Sequence, residues 1–203
     1  MPSPAISEYN RTWGICGFTS ALTHLYESDI RLKGKIDNGR SNEIRLGLLI
    51  EVVTFLKYVT AFHNELIADL NKLNVDLKSP SMAGGVGAFI VLAENAVRNQ
   101  QYIGVSNDYQ CAMTPKALEL YVQKICGIPA AKLTEWPETA DGEGILGLMD
   151  EHNELKHWVF RDSKGYIYNW GHVIAPGRWE DHPMGMGHAA LAKVHVGCHV
   201  SVR

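Results

Sequence analysis

Cysteine is scarce in this chain: four in 203 residues, at Cys16, Cys111, Cys126 and Cys198. No two fall at C-x-x-C spacing, and a chain this long with so few does not rest on a disulfide framework. The expectation is buried thiols in a reducing compartment, with Cys111–Cys126 the one bridge the spacing leaves open. A dominant charge is also missing. Nineteen Lys and Arg stand against 22 Asp and Glu, for a net charge of −3. That gives no basic footprint for nucleic acid and no attraction to an anionic membrane. No apolar run approaches the roughly 20 residues of a membrane-spanning helix. The segment M-P-S-P-A-I-S-E-Y-N has neither a basic n-region nor an apolar h-region, so no Sec signal is read. The location expected is the cytoplasm, or delivery by a non-Sec route.

Repeats, low-complexity tracts and a phosphate loop are absent as well. Gly84, Gly85 and Gly87 have no strand before them and no G-K-[ST] after, so close helix packing is the better reading. His172, His182, His188, His195 and His199 crowd the last third beside Cys198. Their spacing fits neither H-E-x-x-H nor a zinc ribbon, so no metal and no cofactor is expected. Only His195 and His199 share a face, by period 2, in a final strand K-V-H-V-G-C-H-V-S-V.

What is present is enough apolar material, 46% of residues, for one domain over 1–203. Residues 29–42 read as a polar loop. Asn42 and Glu43 open a helix running to about residue 72, on a stripe from Leu49 through Val52, Val53, Leu56 and Val59 to Leu66 and Leu70. A second helix covers 82–98. A third begins at Thr114-Pro115, with Thr at the N-cap and Pro at the first helical position, and ends near Cys126-Gly127. Residues 129–144 read as a linker carrying Trp136 and Pro137. Helices first and strands after is the α+β order.

Two segments carry chemistry. In N-R-T-W-G-I-C-G-F-T-S-A-L-T-H-L-Y-E, Phe18, Ala21, Leu22, Leu25 and Tyr26 fall on one helical face. Cys16 then lies on the first turn, where unpaired N–H groups and the helix dipole favour thiolate over thiol. Far downstream, residues 144–170 read G-I-L-G-L-M-D-E-H-N-E-L-K-H-W-V-F-R-D-S-K-G-Y-I-Y-N-W. Three short apolar runs, 145–149, 155–160 and 166–168, are separated by turn signals and predict a β-meander. His157 stands near the start of the middle strand and Asn169 at the end of the returning one. A tight antiparallel hairpin brings the two together, with the amide orienting one ring nitrogen.

A helix-borne cysteine, then a strand histidine, then an asparagine on the next strand resembles the papain-like cysteine peptidase superfamily. Gly14-Ile15-Cys16 looks like the family's Gly-x-Cys entry to its helix. Tyr168-Asn169-Trp170-Gly171 resembles its N-S-W-G segment with the Ser missing. The resemblance covers roughly residues 8–28 and 144–171. It is nearest to compact bacterial branches, such as injected effectors, toxins and leader peptidases. It implies a papain-like fold, with a helical half over about 8–128 and a sheet half over about 144–203, facing across a cleft. It implies Cys16 as nucleophile, His157 as base and Asn169 as orienter. Asn10, at the family's glutamine offset, and the Cys16 N–H would form the oxyanion hole. Trp158, Trp170 and Trp179 would line a wall of the cleft.

The activity implied is hydrolysis of amide bonds in a protein or peptide. Partners implied are that substrate and, for the effector and toxin branches, a host target or an immunity protein. A glutamine deamidase or a peptidoglycan amidase would use the same triad. W-G-H-V resembles the amidases' histidine segment, with His172 as base instead; the longer strand after His157 favours His157. A non-enzymatic α+β binding module with an inert Cys16 is the reading from another class.

Overall fold

The computed structural model describes residues 13–102, 109–137, 142–169, 172–176 and 195–202. Helices precede strands within them. The helices are α1 (Cys16–Ser28), α2 (Ile30–Asn38), α3 (Ser41–Phe62), α4 (Glu65–Asp76), α5 (Gly85–Arg98) and α6 (Pro115–Lys124), with a 3₁₀ turn Pro80–Met82 ahead of α5. The strands are β1 (Lys132–Glu135), β2 (Gly144–Met149), β3 (Leu155–Arg161), β4 (Ile167–Asn169), β5 (His172–Ile174) and β6 (His195–Ser201). They form one antiparallel sheet in the order β1-β6-β2-β3-β4-β5. The chain is therefore α+β.

Helix α1 is the element everything else is built around. It packs on β2, β3 and β4 and on α2 and α6. Phe18 meets Phe55 of α3 and Tyr121 of α6 edge-on, with centroids 5.8 and 5.0 Å away. Its polar flank is buried too, at Thr19, Ser20, Thr23 and His24. Thr19 Oγ1 donates to Ile15 O and Cys16 O, and Thr23 Oγ1 to Thr19 O at 2.7 Å. Hydroxyls bonded back into their own helix enter a core without an unmet donor. That is how a helix with a one-sided apolar stripe becomes covered on nearly every side.

The sheet has two faces. One, with Ile145, Met149, Trp158, Phe160, Tyr168, Cys198 and Val200, joins the core made with the helices. The other carries a smaller cluster of Leu146, Leu148, Val159 and Ile167. At the outer edge, β1 offers the Leu133 N–H away from the ladder, and Glu119 Oε1 of α6 accepts it at 2.8 Å.

Several sequence expectations give way here. Residues 30–38 are helical, not a loop. Tertiary ties hold them: Tyr26 donates to Asp37 at 2.6 Å, Lys33 Nζ donates to Tyr26 at 2.7 Å, and Ile36 packs on the core. The long helix expected to residue 72 breaks after Phe62, where His63 leaves helical geometry at φ −139°. The break re-aims Leu66, Leu70 and Asn74 into the core and leaves Phe62 outside. Part of the 129–144 linker is strand β1, formed because β6 supplies a partner, not because K-L-T-E has a strand pattern. All four cysteines are free, so no Cys111–Cys126 bridge exists. His195 and His199 do not share a face. Between β2 and β6 the register steps from Gly147↔Cys198 to Leu148↔Val196, leaving Gly197 as an extra residue. His195 then pairs with Met149 and His199 with Leu146, on opposite faces.

Candidate active site

The nucleophile candidate sits where the sequence puts it, as the first residue of α1. The turn before it needs a glycine. Gly14 has φ +59°, and a Cβ there would stand 2.7 Å from Gln110 Cγ. Cys16 is 7% exposed. Its sulfur faces the backbone N–H groups of Trp158, Gly17 and Cys16 itself. Among the described residues, the β3–β4 ladder pairs Phe160 with Tyr168 and Arg161 with Ile167.

His157 and Asn169 come together as expected: His157 Nε2 lies 2.7 Å from Asn169 Oδ1, with both side chains buried. A carbonyl oxygen only accepts, so the proton is on Nε2 and Nδ1 carries the lone pair. By register, His157 and Asn169 stand on the face of Leu148, Val159 and Ile167. Trp158 and α1 are on the other. The Cys16 sulfur meets the His157–Trp158 peptide at its N–H, one residue along β3 from the His157–Asn169 pair. A bulge opposite Leu148/Met149 distorts β3 at this end.

Burial governs the electrostatics. It pushes the Cys16 thiol up to about 11, against the pull of the three N–H groups. It pushes His157 down to about 4, partly offset by the Asn169 bond. The expectation of a resting thiolate gives way: both shifts favour thiol and neutral imidazole. The helix terminus and the N–H groups do not offset the loss of water. Alkylation of Cys16 by iodoacetamide, followed by peptide mass spectrometry, is expected to stay slow through neutral pH. It should rise only above the range where an unperturbed thiol, with pKa near ~8.5, reacts. Fast labelling at pH 6 would show a preformed thiolate–imidazolium pair instead.

Other expected site residues fall out differently. Trp158 is 2% exposed and its indole N–H donates to Met113 O at 2.9 Å. Its ring fills the core beside Gly147, where a Cβ would collide with it, and offers no surface to a substrate. Asn10, Trp170 and Trp179 lie outside the described residues. His172 is exposed on β5, paired with Asn169 across the ladder, but the Asn169 oxygen is on His157. Among the described residues, no three or more His, Cys, Asp or Glu side chains are grouped to hold a metal ion, and no helix is long and apolar enough to cross a membrane.

Sequence reasoning missed Gln110. Its side chain packs on Gly14, two residues before Cys16. The one signal for it was Gly14 itself, since a glycine ahead of a helix often marks a close approach by another segment. Nothing in the sequence said which segment. The chain matches no protein-family model, no curated protein and no solved structure.

Proposed function

We propose that the protein is a papain-like cysteine hydrolase of amide bonds in a protein or peptide. The observation that carries this reading is the buried 2.7 Å bond between His157 Nε2 and Asn169 Oδ1, beside a cysteine on a helix N-terminus. The sulfur already faces the peptide that follows His157. Nδ1 takes the proton from the Cys16 thiol as sulfur attacks the carbonyl carbon. The carbonyl oxygen becomes an oxyanion, met by the Cys16 N–H and by a side-chain amide. Asn10 is the donor the family resemblance implies; among the described residues the candidate is the Gln110 amide, whose side chain packs on Gly14. The imidazolium returns its proton to the leaving amine, giving a thioester, and water then releases the acid and restores the thiol. Because the resting pair is neutral, proton transfer belongs to the attack itself.

Replacing Asn169 with Ala removes an orienter, not a reacting group. A loss of about ten-fold in kcat is expected, far smaller than for Cys16→Ala, and is read in a single-turnover assay.

The burial of Cys16 favours one second reading, an α+β binding module with an inert thiol. Incubating a cell lysate with the protein, beside its Cys16→Ala form, and comparing peptides by mass spectrometry tests both. New termini that need Cys16 support a peptidase. Glutamines converted to glutamate, without new termini, mean a deamidase. Neither change, together with no action on peptidoglycan, leaves the binding module.

A further inference from the structure

Residues 109–113 run beside the nucleophile's loop in matched order. The Trp13 ring stands edge-on to Tyr109, with centroids 5.1 Å apart. Gly14 lies against Gln110, and a Cβ on Gly17 would come 3.2 Å from Met113 Cβ. Met113 O takes the Trp158 indole N–H. Three of the five residues, Tyr109, Gln110 and Met113, thus brace the loop that carries Cys16 or the strand that carries His157.

Ala112, within the same segment, is held by Asn74 of α4. Ala112 N–H donates to Asn74 Oδ1 at 2.8 Å, and Asn74 Nδ2 donates to Ala112 O at 3.0 Å. Asn74 is wholly buried. Its Nδ2 also donates to Leu70 O at 2.9 Å, and its Oδ1 also accepts from Ser79 Oγ at 3.2 Å. Two donors and two acceptor sites are all a carboxamide has, and all are used. A segment outside helix and sheet has no ladder for its own N–H and C=O groups, so they need such a partner when buried. Ser81 Oγ adds a bond to Gln110 O at 2.7 Å.

We propose that Asn74 is a positioning residue for the Cys16 nucleophile: it fixes residues 109–113 against residues 13–17, and so sets how closely Cys16 is covered and where its sulfur sits against the His157–Trp158 peptide. The turnover part of this rests on the hydrolase reading; the part that concerns Cys16 accessibility does not. The path is short. Asn74 grips Ala112, the residues on either side press on Gly14 and Gly17, and these two glycines flank Cys16.

The test is Asn74→Ala in the full chain, alkylated with iodoacetamide, with modification counted at each cysteine by mass spectrometry. Labelling of Cys16, and of Cys111 on the same segment, should rise about ten-fold, because losing both bonds to Ala112 frees the segment locally. Cys126 and Cys198 should label as before. On a peptide substrate, kcat should fall with KM unchanged, as expected when the reacting geometry and not binding is lost. A parallel rise at all four cysteines would reduce Asn74 to a general core residue and overturn the proposal. So would an unchanged Cys16 rate in a folded variant. Should Asn74→Ala not fold, Ser81→Ala loosens the half-exposed end of the same segment, and a selective rise of about three-fold at Cys16 is expected; no rise overturns the proposal. A selective rise in a protein that turns over no substrate keeps the positioning role and removes the hydrolase reading.

Discussion

Cys16→Ala should yield a folded protein with no measurable turnover. The side chain lost is small, and the helix that carries it is held by Phe18, Ala21 and Tyr26 in the core and by hydroxyls bonded into its own backbone. Far-UV circular dichroism should therefore match the parent. Without sulfur no thioester forms, and the remaining N–H donors act only on a carbonyl that nothing attacks. His157→Ala should come close to the same loss, since general-base catalysis is worth about 10²–10⁴-fold. Full activity in Cys16→Ala sinks the hydrolase assignment at this residue.

The second large effect is a loss of stability in mild acid. His157 sits near 4 in the folded protein and near its ordinary 6.5 when unfolded. Between those values the unfolded chain binds the extra proton, so stability rises with pH. The contribution is complete above pH 6.5 and is lost as pH falls towards 4. For a fully buried group the shift corresponds to about 3 kcal/mol. His24, whose pKa burial also lowers, acts with the same sign. Denaturant midpoints measured from pH 7 to pH 4 should fall steeply for the parent and less for His157→Gln. Parallel slopes in the two proteins would mean that His157 titrates normally, with water reaching it.

The sequence carried the order of the elements and the His157–Asn169 approach, because both follow from local patterns. Turn residues and apolar runs set the meander, and a hairpin of that length returns Asn169 to His157. The seat of Cys16 at a helix start was legible from Gly14 and the apolar spacing after it. What was not legible depends on partners distant in the chain. Helix α2 has a weak pattern and stands because Tyr26 and the core hold it. Strand β1 exists because β6 runs beside it. The break at His63 carries no proline or glycine, and serves to turn Leu66, Leu70 and Asn74 inward. Helix dipole reasoning suggested a thiolate at Cys16, but it says nothing about how deeply the helix end is covered, and covering decides the sign. Residues 109–113 have no periodicity at all; their role appears only when Asn74 and Gly14 are seen on either side of them.

The Leu133–Glu119 contact bears on how this molecule behaves in a crowd. An outer strand with its amides bare is a template on which another copy can lengthen the sheet. Here the Leu133 amide already spends its hydrogen on a carboxylate from α6. A newcomer would have to displace that carboxylate and then lie beside its negative charge. Growth of stacked sheets from this rim is disfavoured for the same reason that α6 stays docked: one side chain serves as latch to its own strand and as guard against a foreign one.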